Sequence, residues 1–408
     1  MHKRETQHKP TVLVVGAGYV GEQLVRSFSQ HYSVFALDIS EARRSSLRAQ
    51  FAERSSVRVI GSLSDSVAAQ AFDLALISVP TILRADCQSV DSAHIQAAAA
   101  TVLPHARPGS TVVVESSVTV GMTRQLFAAF RARGVYVGFS PERVDPGRTS
   151  PAFEQISKVV SGIDAASLAQ VQRFYEPVFA SVVSVASLET AEFSKLFENC
   201  QRLMLVAYVN EMADVCASKG IDIHEVCAAS ATKPFGYTAF SPSLGAGGHC
   251  IPVNPWYILA NCEAPLLREA ARRNQARPAE KALEIAAAAK RIAEGRGVSQ
   301  ARVLMLGLAF KPGQASLAYA PAFTAAQHLT QHGLAVSYLD DAVASAPWPR
   351  LEAAHFARRR CASHAEPGGE EYDVDDLFDV VVVAHRPTAQ QLEVLQALRS
   401  AEVIYFAR

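Results

Sequence analysis

Thr11-Val12-Leu13-Val14-Val15-Gly16-Ala17-Gly18-Tyr19-Val20-Gly21 is the stretch whose reading decides the fold. A short β-branched, apolar run leads straight into Gly16-x-Gly18-x-x-Gly21, and helical spacing follows through Gln30. GxGxxG alone is a weak signal. Between a strand and a helix it is the turn that cradles a dinucleotide pyrophosphate. The glycines permit the tight turn and the close backbone approach, and the helix start at Tyr19 and Val20 offers free N–H groups to the phosphates. Asp38 ends the second apolar run, 17 residues after Gly21. A carboxylate there accepts hydrogen bonds from ribose hydroxyls and repels a 2′-phosphate, so the expected cofactor is NAD and not NADP. Arg43 and Arg44 lie close enough in sequence to soften that preference.

Outward from this turn the β/α pattern repeats. Apolar runs at 34–37, 74–79 and 111–115 alternate with helix-like segments at 21–30, 93–103 and 122–133. Continuous apolar strands separated by helices predict a parallel sheet covered on both faces. Pro80, Thr81 and Ser117 fall just past strand ends, where open α/β sheets bind ligands. Residues 187–218 contain no Gly or Pro and read as one helix. It would be about 45–50 Å long, suited to bridging domains or forming a dimer core. A Pro/Gly-rich loop at 233–255 follows, then a second helix expected over 278–294. The pattern restarts with strands at 303–308, 335–339 and 380–384, a helix at 322–332 and a surface loop at 362–371. The expected fold is α/β: two Rossmann-like parallel-sheet domains joined by a central helical domain with a long bridging helix. The domain limits are read as 1–186, 187–296 and 297–408.

Composition narrows the function classes. The chain has 408 residues, 49% hydrophobic, with 39 Lys and Arg balancing 39 Asp and Glu. That is a globular profile, and its neutral balance argues against nucleic acid or an anionic membrane as partner. No apolar signal core follows residues 1–10 and no stretch reaches spanning length, so a cytoplasmic protein is expected. The seven cysteines are odd in number and show no CxxC pair. Neither a disulfide framework nor a metal site is expected.

Gly247-Gly248-His249-Cys250-Ile251-Pro252 is the sharpest chemical feature. Two glycines let a substrate approach the backbone beside a thiol. A cysteine there can add to an aldehyde as a thiohemiacetal, pass to a thioester by hydride loss, and release an acid on hydrolysis. A buried structural cysteine beside a glycine turn has the same local pattern. Lys195 and Asn199 stand at i, i+4 on the long helix and share a face, with Glu192 and Asn210 near the same stripe. Polar groups in an otherwise apolar helix need a partner or a ligand. A lysine near a reacting oxygen can stabilise an oxyanion. The plainer alternative is a solvated Glu192–Lys195 ion pair.

Taken together these stretches resemble the UDP-glucose/GDP-mannose dehydrogenase family, and within it the branch oxidising UDP-N-acetylhexosamines (glucosamine or mannosamine) at C6. The likeness runs from the Gly-rich turn through Ser337. It is carried by Ser78-Val79-Pro80-Thr81, Glu115-Ser116-Ser117 and Ser140-Pro141-Glu142-Arg143-Val144-Asp145-Pro146-Gly147. Lys195-Leu196-Phe197-Glu198-Asn199 with Asn210-Glu211, Thr232-Lys233-Pro234-Phe235-Gly236 and the Cys250 segment complete it. The resemblance implies an NAD-dependent four-electron oxidation of a sugar C6 hydroxyl to a carboxylate in a homodimeric enzyme of polysaccharide biosynthesis. Cys250 would be the nucleophile, Lys195 and Asn199 oxyanion stabilisers, and Glu142 an aid to thioester hydrolysis. Ser117 stands where the family has a water-ordering Thr. The cofactor would lie against Gly16, Gly18, Tyr19, Val20, Gly21, Asp38, Pro80, Thr81 and Ser117. Glu142, Arg143, Val144, Lys195, Asn199, Lys233, Phe235, Gly236, Gly247, Gly248 and Lys311 would meet the nucleotide sugar.

Three departures stand out. Asn254 replaces the family Asp four residues after the cysteine and cannot serve as a base. Its place before Pro255 fits an N-cap followed by Pro at the first helical position. After Lys311-Pro312 the family reads Asp-x-Arg-x-Ser, whereas this chain has Ser316, Leu317, Ala318, Tyr319 and Ala320, without the phosphate-directed Arg. A near-terminal Asp-x-Arg is reduced to Phe406 and Arg408. These leave open a variant enzyme for an unusual nucleotide or nucleoside sugar and a catalytically impaired sugar-nucleotide binder. A small-hydroxyacid dehydrogenase would share the layout without needing Cys250.

Overall fold

Alternate residues of a strand face opposite sides of its sheet, and the first strand shows the consequence. Leu13 and Val15 enter one buried cluster while Val12 and Val14 enter another. Both faces of the sheet are therefore covered, which is why its strands are apolar throughout. The computed structural model describes residues 9–144, 147–148, 150–348, 351–354, 377–398 and 401–406. The expected loop at 362–371 and Arg408 lie outside them. The chain forms two compact units, Met1–Glu198 with Trp256–Ala264, and Asn199–Pro255 with Pro265–Arg408.

In the first unit the elements run β1 (Thr11–Val15), α1 (Tyr19–Phe28), β2 (Ser33–Leu37), α2 (Glu41–Gln50), β3 (Val57–Ile60), α3 (Val67–Gln70) and β4 (Leu74–Ile77). A small hairpin, β5 (Ile82–Leu83) and β6 (Val90–Asp91), leads to α4 (Ala93–Val102) and β7 (Thr111–Val114). Then come α5 (Met122–Leu126), α6 (Ala128–Ala132), β8 (Tyr136–Phe139), β9 (Lys158–Gly162), α7 (Ala165–Tyr175) and β10 (Val182–Ser184). The helix expected over 122–133 is two short ones, because Phe127 leaves helical geometry and stacks its buried ring on Phe130 at 5.1 Å.

Eight strands form one sheet in the order β10-β9-β8-β7-β4-β1-β2-β3. The expectation of a parallel sheet holds except at one step, where β9 runs antiparallel to β8 with Gly138 opposite Gly162. Parallel neighbours need a crossover, usually helical. Among the described residues between these strands there is no α-helix to supply one. The order reverses between β1 and β4, so the crevice at their carboxyl ends is the ligand-binding position of such sheets.

α8 (Leu188–Ser218) is the long helix read from the sequence, 31 residues without interruption, and its start is held by Ser187 Oγ accepting from Thr190 N. The unit boundary falls inside it. After it come α9 (Ile223–Ala231), α10 (Asn254–Leu259), which belongs to the first unit from Trp256 onward, and, in the second unit, α11 (Pro265–Arg296), β11 (Arg302–Leu306), α12 (Pro321–Gln331), β12 (Ala335–Leu339) and β13 (Leu351–Ala353). It ends with β14 (Val380–Val383), α13 (Ala389–Ala397) and β15 (Glu402–Tyr405). The five-stranded sheet, β13-β12-β11-β14-β15, is parallel throughout.

α11 corrects the helix expected to begin at Pro278. It begins 13 residues earlier, at Pro265, and carries Pro278 in its interior. The upstream turns bury Leu267, Ala270, Ala271 and Asn274, and that packing outweighs the lost N–H. Pro278 leaves the Asn274 carbonyl without its i+4 donor, and a Cβ on Gly245 would stand 3.4 Å from that carbonyl oxygen.

Candidate functional site

The glycine turn is built as its spacing implies. Gly16 sits at φ 83°, and a Cβ on it would lie 2.5 Å from the Ser78 carbonyl oxygen. A Cβ on Gly21 would run into the Gly16 carbonyl. A Cβ on Gly18 would meet none of the described atoms within 4 Å, so this residue borders open space. Gly18 also caps α1 without a side-chain hydrogen bond, leaving first-turn N–H groups for an anion. Asp38 Oδ2 accepts from Ala17 N at 2.9 Å and Oδ1 from Ser40 N at 2.9 Å, so the carboxylate is pinned beside the turn with lone pairs left for a ribose. Arg43 donates to the Ala17 and Gly18 carbonyls and to Glu22. Arg44 donates to the Asp38 carbonyl and to Glu41. Both cations are thus occupied by the protein. A dinucleotide fits this cradle, with Pro80 and Thr81 just past β4 and Ser117 just past β7.

Glu142 follows β8. Its Oε2 accepts from Lys195 Nζ at 3.2 Å, and its Oε1 accepts from Val144 N. Lys195 is 5% and Glu142 9% exposed, so this ion pair is sheltered from water. Arg143 turns to Glu198 Oε1 at 2.7 Å and the Ser157 carbonyl at 2.9 Å. Glu192 does not pair with Lys195. It accepts from Gly121 N and Thr123 N at 2.6 and 3.0 Å, and burial raises its carboxyl above the usual range. The surface ion pair weighed in the sequence is therefore replaced by two separate buried contacts.

In the second unit Cys250 opens the turn into α10 and is partly exposed. Its carbonyl accepts from Val253 N at 3.2 Å and Asn254 N at 2.9 Å. Asn254 was expected as an N-cap, but it is the first helical residue. Its Oδ1 instead accepts from Asn199 Nδ2 on α8, while Asn199 Oδ1 accepts from Arg202. Asn199 and Asn254 are almost fully buried. Lys195 lies one turn before Asn199 on the same helix face.

The loop leading to Cys250 is clamped from two helices. Asn210 Oδ1 accepts from Ser243 N at 2.7 Å. Asn274 grips the Ala246 peptide twice, Oδ1 from its N at 2.6 Å and Nδ2 to its O at 3.3 Å. Arg277 donates to the Ser243 carbonyl and pairs with Asp214. Gly247 and Gly248 press on the 310–321 segment, where a Cβ would stand 2.8 Å from Pro321 and Phe310, and 2.9 Å from Phe310, respectively. Gly248 N donates to the Ala318 carbonyl at 3.3 Å, and His249 meets Tyr319 edge-on at 6.2 Å. Lys311, at the edge of this loop, is half-buried. Lys233, Phe235 and Gly236 are exposed, with Lys233 Nζ 5.0 Å above the Phe235 ring.

Three features escaped the sequence reading. Asn274 and Arg277 extend the buried stripe of α11, and polar residues on a buried stripe are the signal that could have found them. Asp340 ends β12 as Asp38 ends β2, and its Oδ2 accepts from Leu308 N and Ala309 N at 2.8 and 3.0 Å. Burial opposes its charge, yet His385 and these amides hold its carboxyl well below the usual range. Lys158 and Tyr175 surround Glu115 and left no local signature. Among the described residues no group of His, Cys, Asp and Glu could hold a metal, and no helix is long and apolar enough to cross a membrane.

Residues 10–179 match the NAD-binding domain of the UDP-glucose/GDP-mannose dehydrogenase family, and residues 189–276 its central domain. Protein CapL of Staphylococcus aureus is 31% identical over 349 residues, covering 81% of each chain. UDP-N-acetyl-D-mannosamine dehydrogenase of Salmonella typhi is 28% identical over 354 residues, 79% of this chain and 83% of that protein. In fold, the chain is similar to a UDP-D-ManNAc dehydrogenase from Pyrococcus horikoshii, with TM-score 0.80 and 22% identity over 97% and 95% of the two chains. The glycine turn, the Asp38 anchor and these matches agree: the chain belongs to the UDP-glucose/GDP-mannose dehydrogenase family and is an NAD-dependent nucleotide-sugar dehydrogenase.

Proposed function

We propose that the chain oxidises the C6 hydroxyl of a UDP-N-acetylhexosamine, best represented by UDP-N-acetyl-D-mannosamine, to the carboxylate through a covalent intermediate on Cys250. The observation that carries this reading is the chain of contacts within the second unit from Cys250 through Asn254 to the buried Asn199. The sugar is inferred from the activity named for the Salmonella typhi relative.

Two NAD molecules, bound in turn, would each supply a hydride acceptor, and Gly16, Gly18, Tyr19, Val20, Gly21, Asp38, Pro80, Thr81 and Ser117 would hold them. The C6 alcohol loses its proton as the first hydride leaves. Asn254 cannot take that proton, and neither can the Lys195 ammonium, so the Glu142 carboxylate paired with Lys195 receives it. The Cys250 thiolate then bonds to the aldehyde carbon, and Lys195 and Asn199 stabilise the oxyanion. Loss of the second hydride gives a thioester. Water ordered by Ser117 and assisted by Glu142 breaks the C–S bond, releasing the acid and the thiol. Arg143, Val144, Lys233, Phe235, Gly236, Gly247, Gly248 and Lys311 contact the sugar nucleotide.

We assign NAD binding to 1–186, a helical dimerisation and catalytic role to 187–296, and sugar-nucleotide binding to 297–408. The exposed Phe193, Phe197, Tyr208 and Val215 recur at helical spacing along α8 and support a homodimer. The reading places the chain in the cytoplasm, and its product fits polysaccharide assembly. A second reading, a variant sugar nucleotide, is favoured by the 316–320 loop, where the Ala318 carbonyl is engaged by Gly248 and no cation is present.

The test is NADH yield across UDP-, GDP- and simpler nucleoside-linked hexoses. Two NADH per UDP-N-acetyl-D-mannosamine are expected. One means the reaction stops at the aldehyde, and none with binding retained means a binding protein. Cys250→Ser should abolish acid formation, and unchanged acid formation rejects the covalent route.

A further inference from the structure

Glu115, Lys158 and Tyr175 form a buried polar cluster that no step above uses. Lys158 is 3% and Glu115 1% exposed. Lys158 Nζ donates to Glu115 Oε2 at 2.5 Å, and Tyr175 Oη donates to Glu115 Oε1 at 2.5 Å. A second donor of the same ammonium reaches the Pro141 carbonyl at 3.1 Å. Its remaining side lies near the Phe153 and Phe179 rings, 6.0 and 5.7 Å from their centres. Burial raises the Glu115 carboxyl despite Lys158, and raises the Tyr175 hydroxyl strongly. The tyrosine therefore stays a donor.

The cluster joins segments that are distant in sequence. Glu115 stands directly after β7, two residues before Ser117. Pro141 stands directly before Glu142, Lys158 opens β9 and Tyr175 closes α7. Ser116 extends the tie to the loop after β4 by donating to the Val79 carbonyl at 2.7 Å. A buried ion pair is a weak source of net stability, because desolvation offsets its attraction. It does fix geometry, since each partner is lost at high cost. Pro141 has no N–H, so its carbonyl is the one backbone group through which hydrogen bonding can orient this residue.

We propose that Lys158 is a positioning residue that ties the Pro141–Glu142 peptide to the strand end bearing Ser117, and so sets where the Glu142 carboxylate meets Lys195. The inference rests on the roles given above to Glu142 and Ser117. It requires no contact of Lys158 with substrate or cofactor.

The test uses the full chain with Lys158→Met and Glu115→Gln combined, so that no unpaired charge is left buried. Hydrogen exchange over residues 140–144 should rise about tenfold as this segment loosens. With UDP-N-acetyl-D-mannosamine and NAD, kcat should fall about tenfold to a hundredfold, while KM for NAD stays within about twofold. On a Glu142→Gln background the same pair of changes should cost little more, because both act through one carboxylate. Unchanged exchange over 140–144, or a kcat loss that multiplies fully with that of Glu142→Gln, overturns the proposal. If 140–144 loosens but Glu142→Gln alone keeps the parent kcat, Lys158 still holds the segment and the role of Glu142 is what fails. Should the double variant not fold, Tyr175→Phe removes a single donor to Glu115 and keeps the ring. Exchange over 140–144 should then rise less but measurably, and no rise overturns the proposal.

Discussion

Gly16 shows how much one residue carries. Its φ of 83° costs a residue with a Cβ about 1–2 kcal/mol, and the Ser78 carbonyl leaves no room for that carbon. Gly16→Ala should therefore weaken NAD binding at least about tenfold, as titration calorimetry would register; unaltered affinity would refute the placement of the pyrophosphate. Asn254 raises the opposite question, a residue whose fold role survives its chemistry. Its amide takes a donor from Asn199, a job a carboxylate also performs, while only the carboxylate accepts a proton. Asn254→Asp should raise the rate of the first oxidation in single-turnover measurements, and equal rates would mean that the Glu142 carboxylate already takes the proton fully. The thiols differ just as clearly by surroundings. Burial pushes Cys200 up to about 12, so native alkylation read by mass spectrometry should leave it unlabelled while Cys250 reacts.

Among the elements, α8 was fully legible because a long run without Gly or Pro has one regular solution. α11 was not, since Pro278 reads locally as a helix start, while the burial of Leu267 to Asn274 is set by partners far along the chain. The Cys250 loop depends on that misread turn. Asn274→Ala would strip both hydrogen bonds from the buried Ala246 peptide, at about 1–3 kcal/mol for each unsatisfied group. The expected result is a lower melting temperature together with a kcat decrease at nearly constant KM for NAD. A variant that lost stability but kept kcat would show that Asn274 serves the fold alone. Strand β9 escaped the reading for a related reason: Lys158, Ser161 and Gly162 break the apolar run, and the Lys158 and Ser161 side chains find their partners, Glu115 and the Phe139 carbonyl, far along the chain.

At the scale of the molecule, the two sheets repeat one plan, with a positive-φ glycine after the first strand (Gly16, Gly307) and an aspartate after the second (Asp38, Asp340). Asp340 ties acid stability to this plan. Its carboxyl titrates lower folded than unfolded, so its contribution is present above the unfolded value of about 3.9 and is lost as pH falls through the lower folded value. Asp340→Asn should accordingly cost about 1–3 kcal/mol near neutral pH, with the gap to the parent chain closing in acid. A gap independent of pH would exclude the charged form as the cause. The exposed aromatics of α8 give a further whole-molecule expectation. Phe197→Glu should shift sedimentation from dimer to monomer, and a monomeric parent chain would reject the dimer itself.

Local order was enough to reveal the α/β class, the glycine turn, Asp38 and the Cys250 segment, because each is a short-range pattern whose physics is complete within a few residues. The antiparallel step at β9, the passage of α11 through Pro278, the pairing of Lys195 with Glu142 and not Glu192, and the Glu115–Lys158–Tyr175 cluster were decided by tertiary structure. Each joins residues tens of positions apart. Burial makes a polar group choose a partner, and only the folded chain determines which partner lies within reach.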